Sequence, residues 1–121
     1  MAPHRAPILV IEDNFQTRDV LQRVLAIRGY VSVIATDATE GLDYLRSGKP
    51  VCLVILDLHL PGRDGRDFLR ELKADPKLAA VPVVVYSGDP GHLPDAAAFV
   101  RKGSDDPDVL LAAIERHRLK E

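Results

Sequence analysis

Short apolar runs alternate with segments of helical periodicity along this chain, and this alternation restricts its fold more than any other feature. Five runs of four to six residues are rich in aliphatic and β-branched side chains, a composition typical of strands in a buried sheet. Between most of them, apolar residues recur every three or four positions, as in helices with one buried face. We therefore predict an α/β fold with a doubly wound, five-stranded parallel sheet in the order 2-1-3-4-5 and helices on both faces.

The predicted strands and helices cover most of the chain. Strands are expected at residues 8–11, 30–35, 51–56, 81–86 and 97–100. Helices are expected between the capping residue Asn14 and Gly29, at residues 38–45 and 65–74, and at residues 107–119, with Ser104 and Asp105 as caps. Residues 1–7 are interpreted as a flexible tail, and residues 8–121 as a single domain.

The connection between the fourth and fifth strands departs from the regular alternation. Its sequence, GDPGHLPDAAA at residues 88–98, places the turn-forming pair Pro90 and Gly91 and a further proline, Pro94, where a helix would run. Proline removes a backbone donor and disfavours helical geometry in the residue before it. We expect the fourth helix of the fold to be absent or reduced to one turn.

Charge and composition exclude several classes of function. The net charge of −2 argues against a general nucleic-acid or membrane-surface binder. No apolar run approaches the ~20 residues of a membrane span, and no segment typical of a signal peptide follows the N-terminus. The single cysteine, Cys52, lies in an apolar run and fits a buried side chain in a reducing cytoplasm. We expect a cytoplasmic protein without direct contact to nucleic acid or membrane.

Reactive side chains follow four of the predicted strands. The first strand ends in Glu12 and Asp13, the third in Asp57, the fourth in Ser87 and the fifth in Lys102. Because the first and third strands are neighbours in the predicted order, the three carboxylates should converge at the carboxyl edge of the sheet. Carboxylate oxygens with room for water suit Mg²⁺. A lysine and a hydroxyl beside that metal suit a phosphoryl group.

Each of these residues also has an ordinary structural explanation. Glu12 and Asp13 could simply favour the N-terminus of a helix. Asp57 and Ser87 could be turn residues, and Lys102 could be a solvated surface charge. These explanations do not account for the occurrence of all five residues at strand ends in the right order.

The sequence resembles the receiver domain of two-component response regulators, a chemotaxis-type domain with a flavodoxin-like fold. The resemblance rests on the segments ILVIEDN, VILDLHLPGRDG, VPVVVYSGD and FVRKG. It implies a phosphorylation-dependent signalling switch that accepts a phosphoryl group from a histidine kinase or a histidine phosphotransfer domain and acts on an unknown output protein. Such a domain is not an enzyme for a separate substrate, because it catalyses only its own phosphoryl transfer and dephosphorylation.

The resemblance implies an acceptor and a metal site among the acidic residues. Asp57 matches the phosphoacceptor of the family. Glu12 and Asp13 match the acidic pair that holds Mg²⁺ together with Asp57. The backbone carbonyl of His59 is expected to be a further ligand of the metal.

Three other residues match the parts of the family that respond to phosphorylation. Lys102 matches the lysine beside the phosphoryl group, Ser87 the switch hydroxyl and Phe99 the switch aromatic residue. We expect Lys102 and Ser87 to assist the transfer, and Ser87 and Phe99 to change position afterwards. The family commonly has proline after the lysine, whereas this chain has Gly103, which leaves the shape of that loop open.

Two other functions are compatible with the same residues. A receiver-like module could act by docking alone, without phosphorylation, although the complete acidic pair, Asp57, Ser87 and Lys102 speak against it. A small hydrolase with a nucleophilic aspartate, similar to phosphatases of the haloacid dehalogenase type, would carry a second aspartate two residues after Asp57. His59 occupies that position here.

Overall fold

Strands and helices alternate along most of the described chain. The computed structural model describes residues 6–88, 93–103 and 106–120. The elements follow in the order β1 (Ile8–Ile11), α1 (Phe15–Ile27), β2 (Ser32–Ala35), α2 (Ala38–Arg46), β3 (Leu53–Leu56), α3 (Gly65–Ala74), β4 (Val83–Ser87), β5 (Ala98–Arg101) and α4 (Pro107–His117). Within these residues, no helix combines the length and the apolar character that crossing a lipid bilayer requires.

All five strands run parallel in one sheet, in the order β2-β1-β3-β4-β5. This topology confirms the doubly wound α/β fold predicted from the sequence. β1 and β3 are adjacent, so the chain is wound outward in both directions from β1. Ile11 pairs with Leu56 in the last step of their ladder, and the two strands therefore end at the same level.

Side chains of the central strands alternate between two cores, one on each face of the sheet. Leu9 and Ile11 lie in the core that α2 and α3 cover. Ile8 and Val10 lie in the core that α1 and α4 cover. All four side chains are fully buried. A strand buried on both faces leaves no place for polar side chains along its length, so they come at its end.

β2 begins two residues later than the sequence pattern indicates. The backbone of Tyr30 takes part instead in the C-terminal cap of α1. The amide of Tyr30 donates to the carbonyl of Leu25, and the amide of Gly29 donates to the carbonyl of Ala26, both at 3.0 Å. Together these two bonds form a Schellman C-cap. The Tyr30 side chain is nevertheless buried, which explains why it fits the apolar pattern of a strand.

Other predicted bounds shift by one or two residues at the strands and at the helix ends. β4 begins only after Pro82, which has no N–H group to join the ladder. The cap of α4 is Asp106, whose carboxylate accepts the amide of Asp108 at 2.9 Å. Ser104 and Asp105, the caps predicted from the sequence, lie outside the described residues.

The connection between β4 and β5 lies partly outside the described residues. Gly88 and residues 93–97 are described there, and they form no helix. A fourth helix is present in the chain, but it is α4, which follows β5. A shortened connection with at most one helical turn stays a prediction, since residues 89–92 are outside the described part.

Phe68 and Phe15 offer a matched test of the packing. Phe68 on α3 is fully buried, whereas Phe15 at the start of α1 is 71% exposed. We expect Phe68→Ala to lower the free energy of unfolding by about 3–5 kcal/mol, because it removes apolar contacts and leaves a cavity. Phe15→Ala should change it by less than about 0.5 kcal/mol. Urea denaturation measures both values, and equal losses would contradict the assignment of Phe68 to the core.

Candidate functional site

Two buried carboxylates lie side by side at the carboxyl edge of the sheet. Glu12 and Asp57 directly follow β1 and β3, and they are 2% and 5% exposed. The amide of Asp57 donates to the carbonyl of Ile11 at 3.1 Å, and the amide of Glu12 donates to the carbonyl of Ala35 at 3.0 Å. These bonds continue the ladders one step past the strands. The sheet therefore brings together two carboxylates that are distant in the sequence.

Lys102 compensates part of this buried negative charge. It directly follows β5, and its amide donates to the carbonyl of Ser87 at the end of β4, at 3.0 Å. Its ammonium Nζ donates to Glu12 Oε1 at 2.7 Å and to Asp57 Oδ2 at 3.3 Å. The Lys102 side chain is 26% exposed, so both contacts are largely shielded from solvent and screened little by salt. The pairing of β5 with β4 thus delivers a cation to the carboxylates.

Asp13 adds a third carboxylate, which is exposed to solvent. Oxygen atoms of Glu12, Asp13 and Asp57 lie within 4.8 Å of one another. The second oxygens of the buried pair accept backbone amides: Asn14 donates to Glu12 Oε2 and His59 donates to Asp57 Oδ1, both at 3.1 Å. A compact group of carboxylate oxygens that is open to water is the donor chemistry that Mg²⁺ prefers. The residues present therefore fit a divalent cation.

Burial and ion pairing act in opposite directions on the protonation of this group. Burial raises the pKa of Glu12 to about 6, although the hydrogen bond from Lys102 lowers it in part. Burial alone would lower the pKa of Lys102, but the hydrogen bond to Glu12 and the charges of both carboxylates outweigh it and raise that pKa. Lys102 is therefore charged at neutral pH, whereas Glu12 exchanges its proton near pH 6.

The remaining predicted residues lie on or shortly after β3, β4 and β5. Ser87 is fully buried at the end of β4. Phe99 on β5 is half-buried and packs against the core that α2 and α3 cover. His59 is exposed and contributes its amide to Asp57, so a metal contact through its carbonyl stays a prediction. Gly103 has a φ of +82°, in the left-handed region that favours glycine. The switch roles of Ser87 and Phe99 also stay predictions.

Arg18 contacts the acidic loop through its side chain, which no sequence motif indicated. Its guanidinium Nη1 donates to the carbonyl of Asp13 at 2.9 Å and to the carbonyl of Glu12 at 3.3 Å. Bonds to backbone carbonyls require no particular side chain in the partner, so they leave no motif. Helical spacing was the one signal that could have indicated this contact. Arg18 is four positions after the cap Asn14, so it lies on the first turn of α1, next to the acidic loop.

A close backbone approach fixes the loop that carries Asp57. The amide of Gly65 donates to the carbonyl of Leu58 at 3.0 Å. A Cβ atom at position 65 would lie 2.6 Å from the carbonyl oxygen of Asp57 and 2.8 Å from the Cα atom of Leu58. Both are backbone atoms, which cannot yield without moving Asp57 itself. Glycine is therefore required where this loop enters α3.

The fold and the site agree with a known family. Residues 8–118 match the sequence model of the response regulator receiver domain, and the chain belongs to this family, the receiver domains of two-component response regulators. The chain is 34% identical over 123 residues to the DNA-binding response regulator MtrA of Mycobacterium tuberculosis, covering 96% of this chain and 51% of that protein. The chain spans about half the length of such relatives.

Solved structures of receiver domains share the architecture. The signal receiver domain of an HD domain-containing protein from Pseudomonas fluorescens Pf-5 has a TM-score of 0.83 at 25% identity, over 94% of each chain. The Mn²⁺-bound form of response regulator Rcp1 has a TM-score of 0.73 at 27% identity, over 91% of each chain. The resemblance of the sequence to receiver domains is thereby confirmed.

Gly65→Ala tests the close approach beside Asp57. Alanine favours helices over glycine, but here the added methyl group would overlap backbone atoms, so we expect a loss of about 1–3 kcal/mol in the free energy of unfolding. Gly88→Ala is the control, because a Cβ atom there meets nothing within 4 Å. Urea denaturation compares the two variants. A Gly65→Ala protein as stable as the Gly88→Ala protein would contradict the proposed packing.

Proposed function

We propose that this domain is a phosphorylation-dependent switch in which Asp57 accepts a phosphoryl group from a histidine kinase or a histidine phosphotransfer protein, in a Mg²⁺-dependent reaction. The observation that carries the proposal is the buried Asp57 carboxylate, which has the ammonium of Lys102 at 3.3 Å and two further carboxylates within 4.8 Å. Membership of the receiver-domain family supports it.

In the proposed reaction a carboxylate oxygen of Asp57 attacks the phosphorus atom of a phosphohistidine. The P–N bond breaks, its electron pair returns to the imidazole ring, and an acyl phosphate forms on Asp57. The amide of His59 and the ammonium of Lys102 each hold one oxygen of the carboxylate. The orientation of Asp57 is therefore set before the donor arrives, which reduces the entropy lost in reaching the transition state.

Asp13 and Asp57 would hold Mg²⁺, with Glu12 acting through a water molecule and the His59 carbonyl as a further ligand. The bound cation would neutralise charge on the phosphoryl oxygens. The oxygen-only donor set supports a hard divalent cation. Rcp1, a structural relative, has been solved with Mn²⁺ bound, which also supports it.

Phosphorylation would first change the contacts of Lys102. Its ammonium now contacts Glu12 and Asp57, and a phosphoryl group of about −1.5 to −2 charge would compete for it. Ser87, whose carbonyl already accepts the Lys102 amide, would turn its hydroxyl toward the phosphate. Phe99 would rotate further into the core, and the change would spread along β4 and β5. An acyl phosphate hydrolyses readily, so the state would be temporary.

Membership of the family identifies the output partner of this chain only in part. MtrA is described as a DNA-binding response regulator, so the expectation of no nucleic-acid contact is partly at odds with that relative. This chain spans about half of MtrA and carries a net charge of −2. We propose that the receiver domain itself contacts the phosphoryl donor and an output partner, and not nucleic acid.

Asp57→Asn tests the acceptor directly. The protein is incubated with acetyl phosphate and Mg²⁺, and its intact mass is measured. The wild-type chain should gain the mass of one phosphoryl group, and Asp57→Asn should gain none, because an amide is a poor nucleophile. Asp19→Asn, at an exposed pair with Arg23 on α1, is the control and should behave as the wild type.

The other outcomes of this experiment separate the alternative functions. A gain that persists in Asp57→Asn would show that the acceptor is another residue. No gain in the wild type at any Mg²⁺ concentration would favour a docking module. The hydrolase needs a separate assay with a phosphate ester, in which continuous release of phosphate would favour that function.

Binding of Mg²⁺ should depend on pH through Glu12. Because burial raises the pKa of Glu12 to about 6 in the folded protein, the protonated carboxyl is favoured there. The protonated carboxyl therefore contributes to the free energy of unfolding of the metal-free protein, and this contribution is lost as the pH rises from 4.5 through about 6. Mg²⁺ binds the deprotonated group. At a free Mg²⁺ concentration of ten times Kd, binding adds about 1.4 kcal/mol to the free energy of unfolding. The resulting rise in Tm should be small near pH 5 and complete near neutral pH.

Variants assign this effect to the acidic group. Asp13→Ala should abolish the Mg²⁺-dependent rise in Tm, whereas Asp19→Ala should keep it. Glu12→Gln should retain a smaller rise that changes little with pH, because the titrating carboxyl is gone. Differential scanning calorimetry measures each value. A wild-type Tm that stays constant up to millimolar Mg²⁺ would contradict the metal site.

A further inference from the structure

The loop between β1 and α1 is held by contacts to its backbone. Arg18 Nη1 donates to the carbonyl of Asp13 at 2.9 Å and to that of Glu12 at 3.3 Å. The amide of Arg18 donates to the carbonyl of Asn14 at 3.0 Å, within the first turn of α1. One side chain of a regular helix thus holds the two peptide carbonyls of the acidic pair.

The position of Arg18 matters because Asp13 is exposed. Glu12 is buried and held at both oxygens, by Lys102 at 2.7 Å and by the amide of Asn14 at 3.1 Å. The location of the Asp13 carboxylate depends instead on the backbone that carries it. The guanidinium is planar and rigid, and the two N–H groups of its Nη1 atom can donate to the two carbonyls in one arrangement. Its ring contact adds a second anchor, since the Arg18 guanidinium lies 5.7 Å from the centre of the Phe15 ring.

We infer that Arg18 is a positioning residue for the metal site, which orders the Glu12–Asp13 loop so that the Asp13 carboxylate is preorganised for Mg²⁺. This inference rests on the proposed function. The Arg18 side chain contacts neither Asp57 nor the carboxylate oxygens that would bind the metal. It acts through the backbone carbonyls of Glu12 and Asp13. Partners of this kind orient metal ligands, and their loss weakens metal binding by about 10- to 100-fold.

The sign of the effect distinguishes positioning from simple electrostatics. Arg18 is a cation close to a cation site, so removing its charge should by Coulomb's law strengthen Mg²⁺ binding. Loss of positioning should weaken it. Arg23 on the same helix carries the same charge, is 77% exposed and pairs with Asp19 at 3.2 Å. Arg23→Ala is therefore the control for loss of a positive charge from α1, and Arg18→Lys keeps the charge at position 18.

The experiment measures Mg²⁺ affinity by isothermal titration calorimetry for the wild type, Arg18→Ala, Arg18→Lys and Arg23→Ala. We expect Kd to rise about tenfold or more in Arg18→Ala, to rise less in Arg18→Lys, whose ammonium can still donate but on a more flexible stem, and to stay equal or fall in Arg23→Ala. Phosphorylation by acetyl phosphate should be slowed in Arg18→Ala at limiting Mg²⁺ and recover at saturating Mg²⁺. A wild-type Kd in Arg18→Ala, or an equal loss in Arg23→Ala, would overturn the inference.

Amide hydrogen exchange without metal provides a second readout. The amides of Asp13 and Asn14 should exchange faster in Arg18→Ala than in the wild type, while those of β1 remain protected. Unchanged exchange of the loop would overturn the inference even if Mg²⁺ binding weakened. If the wild type binds no Mg²⁺, the proposed function fails, and exchange alone decides whether Arg18 orders the loop. If Arg18→Ala does not fold, Arg18→Lys carries both measurements.

Discussion

The contact of Lys102 with Glu12 and Asp57 is the interaction on which the arrangement of the acidic site depends. A parallel sheet buried on both faces brings two carboxylates into a region that water largely avoids, where an unpaired charge is costly. One ammonium group and two backbone amides offset this cost. A buried ion pair of this kind seldom stabilises a protein more than apolar side chains of similar size would. Its presence is therefore better explained by the role proposed for Asp57 than by stability.

The surrounding architecture keeps this charged group rigid. Two cores clamp β1 and β3 from opposite faces, so the ends of these strands have little freedom to separate. Gly65 brings the start of α3 against the backbone of Asp57, and Arg18 holds the backbone of the acidic pair from α1. A carboxylate held in this way would not need to reorganise in the phosphoryl transfer proposed above. Packing and the geometry of the acidic site are thus linked through the same short loops.

Much of the fold could be predicted because its signals are local. Apolar runs and helical spacing depend on neighbouring residues, and they predicted the five strands, the four helices and their winding. The ends of elements were harder to predict, because they are decided by hydrogen bonds between backbone groups. Tyr30 matched a strand by its apolar side chain, yet its amide closes the end of α1. Asp106 caps α4, although the sequence offered several polar candidates side by side.

The sequence by itself determined that carboxylates, a hydroxyl and a lysine stand at strand ends, and its motifs identified the family. Only the tertiary structure decided that the ammonium of Lys102 reaches both Glu12 and Asp57, that position 65 admits no Cβ atom, and that Arg18 binds the carbonyls of the acidic loop. The reason is physical. The order of residues shows where a strand ends, whereas the contacts of Lys102 join distant segments that only the sheet sets side by side. The contacts of Gly65 and Arg18 are made with backbone atoms that every residue shares, so no sequence motif marks them.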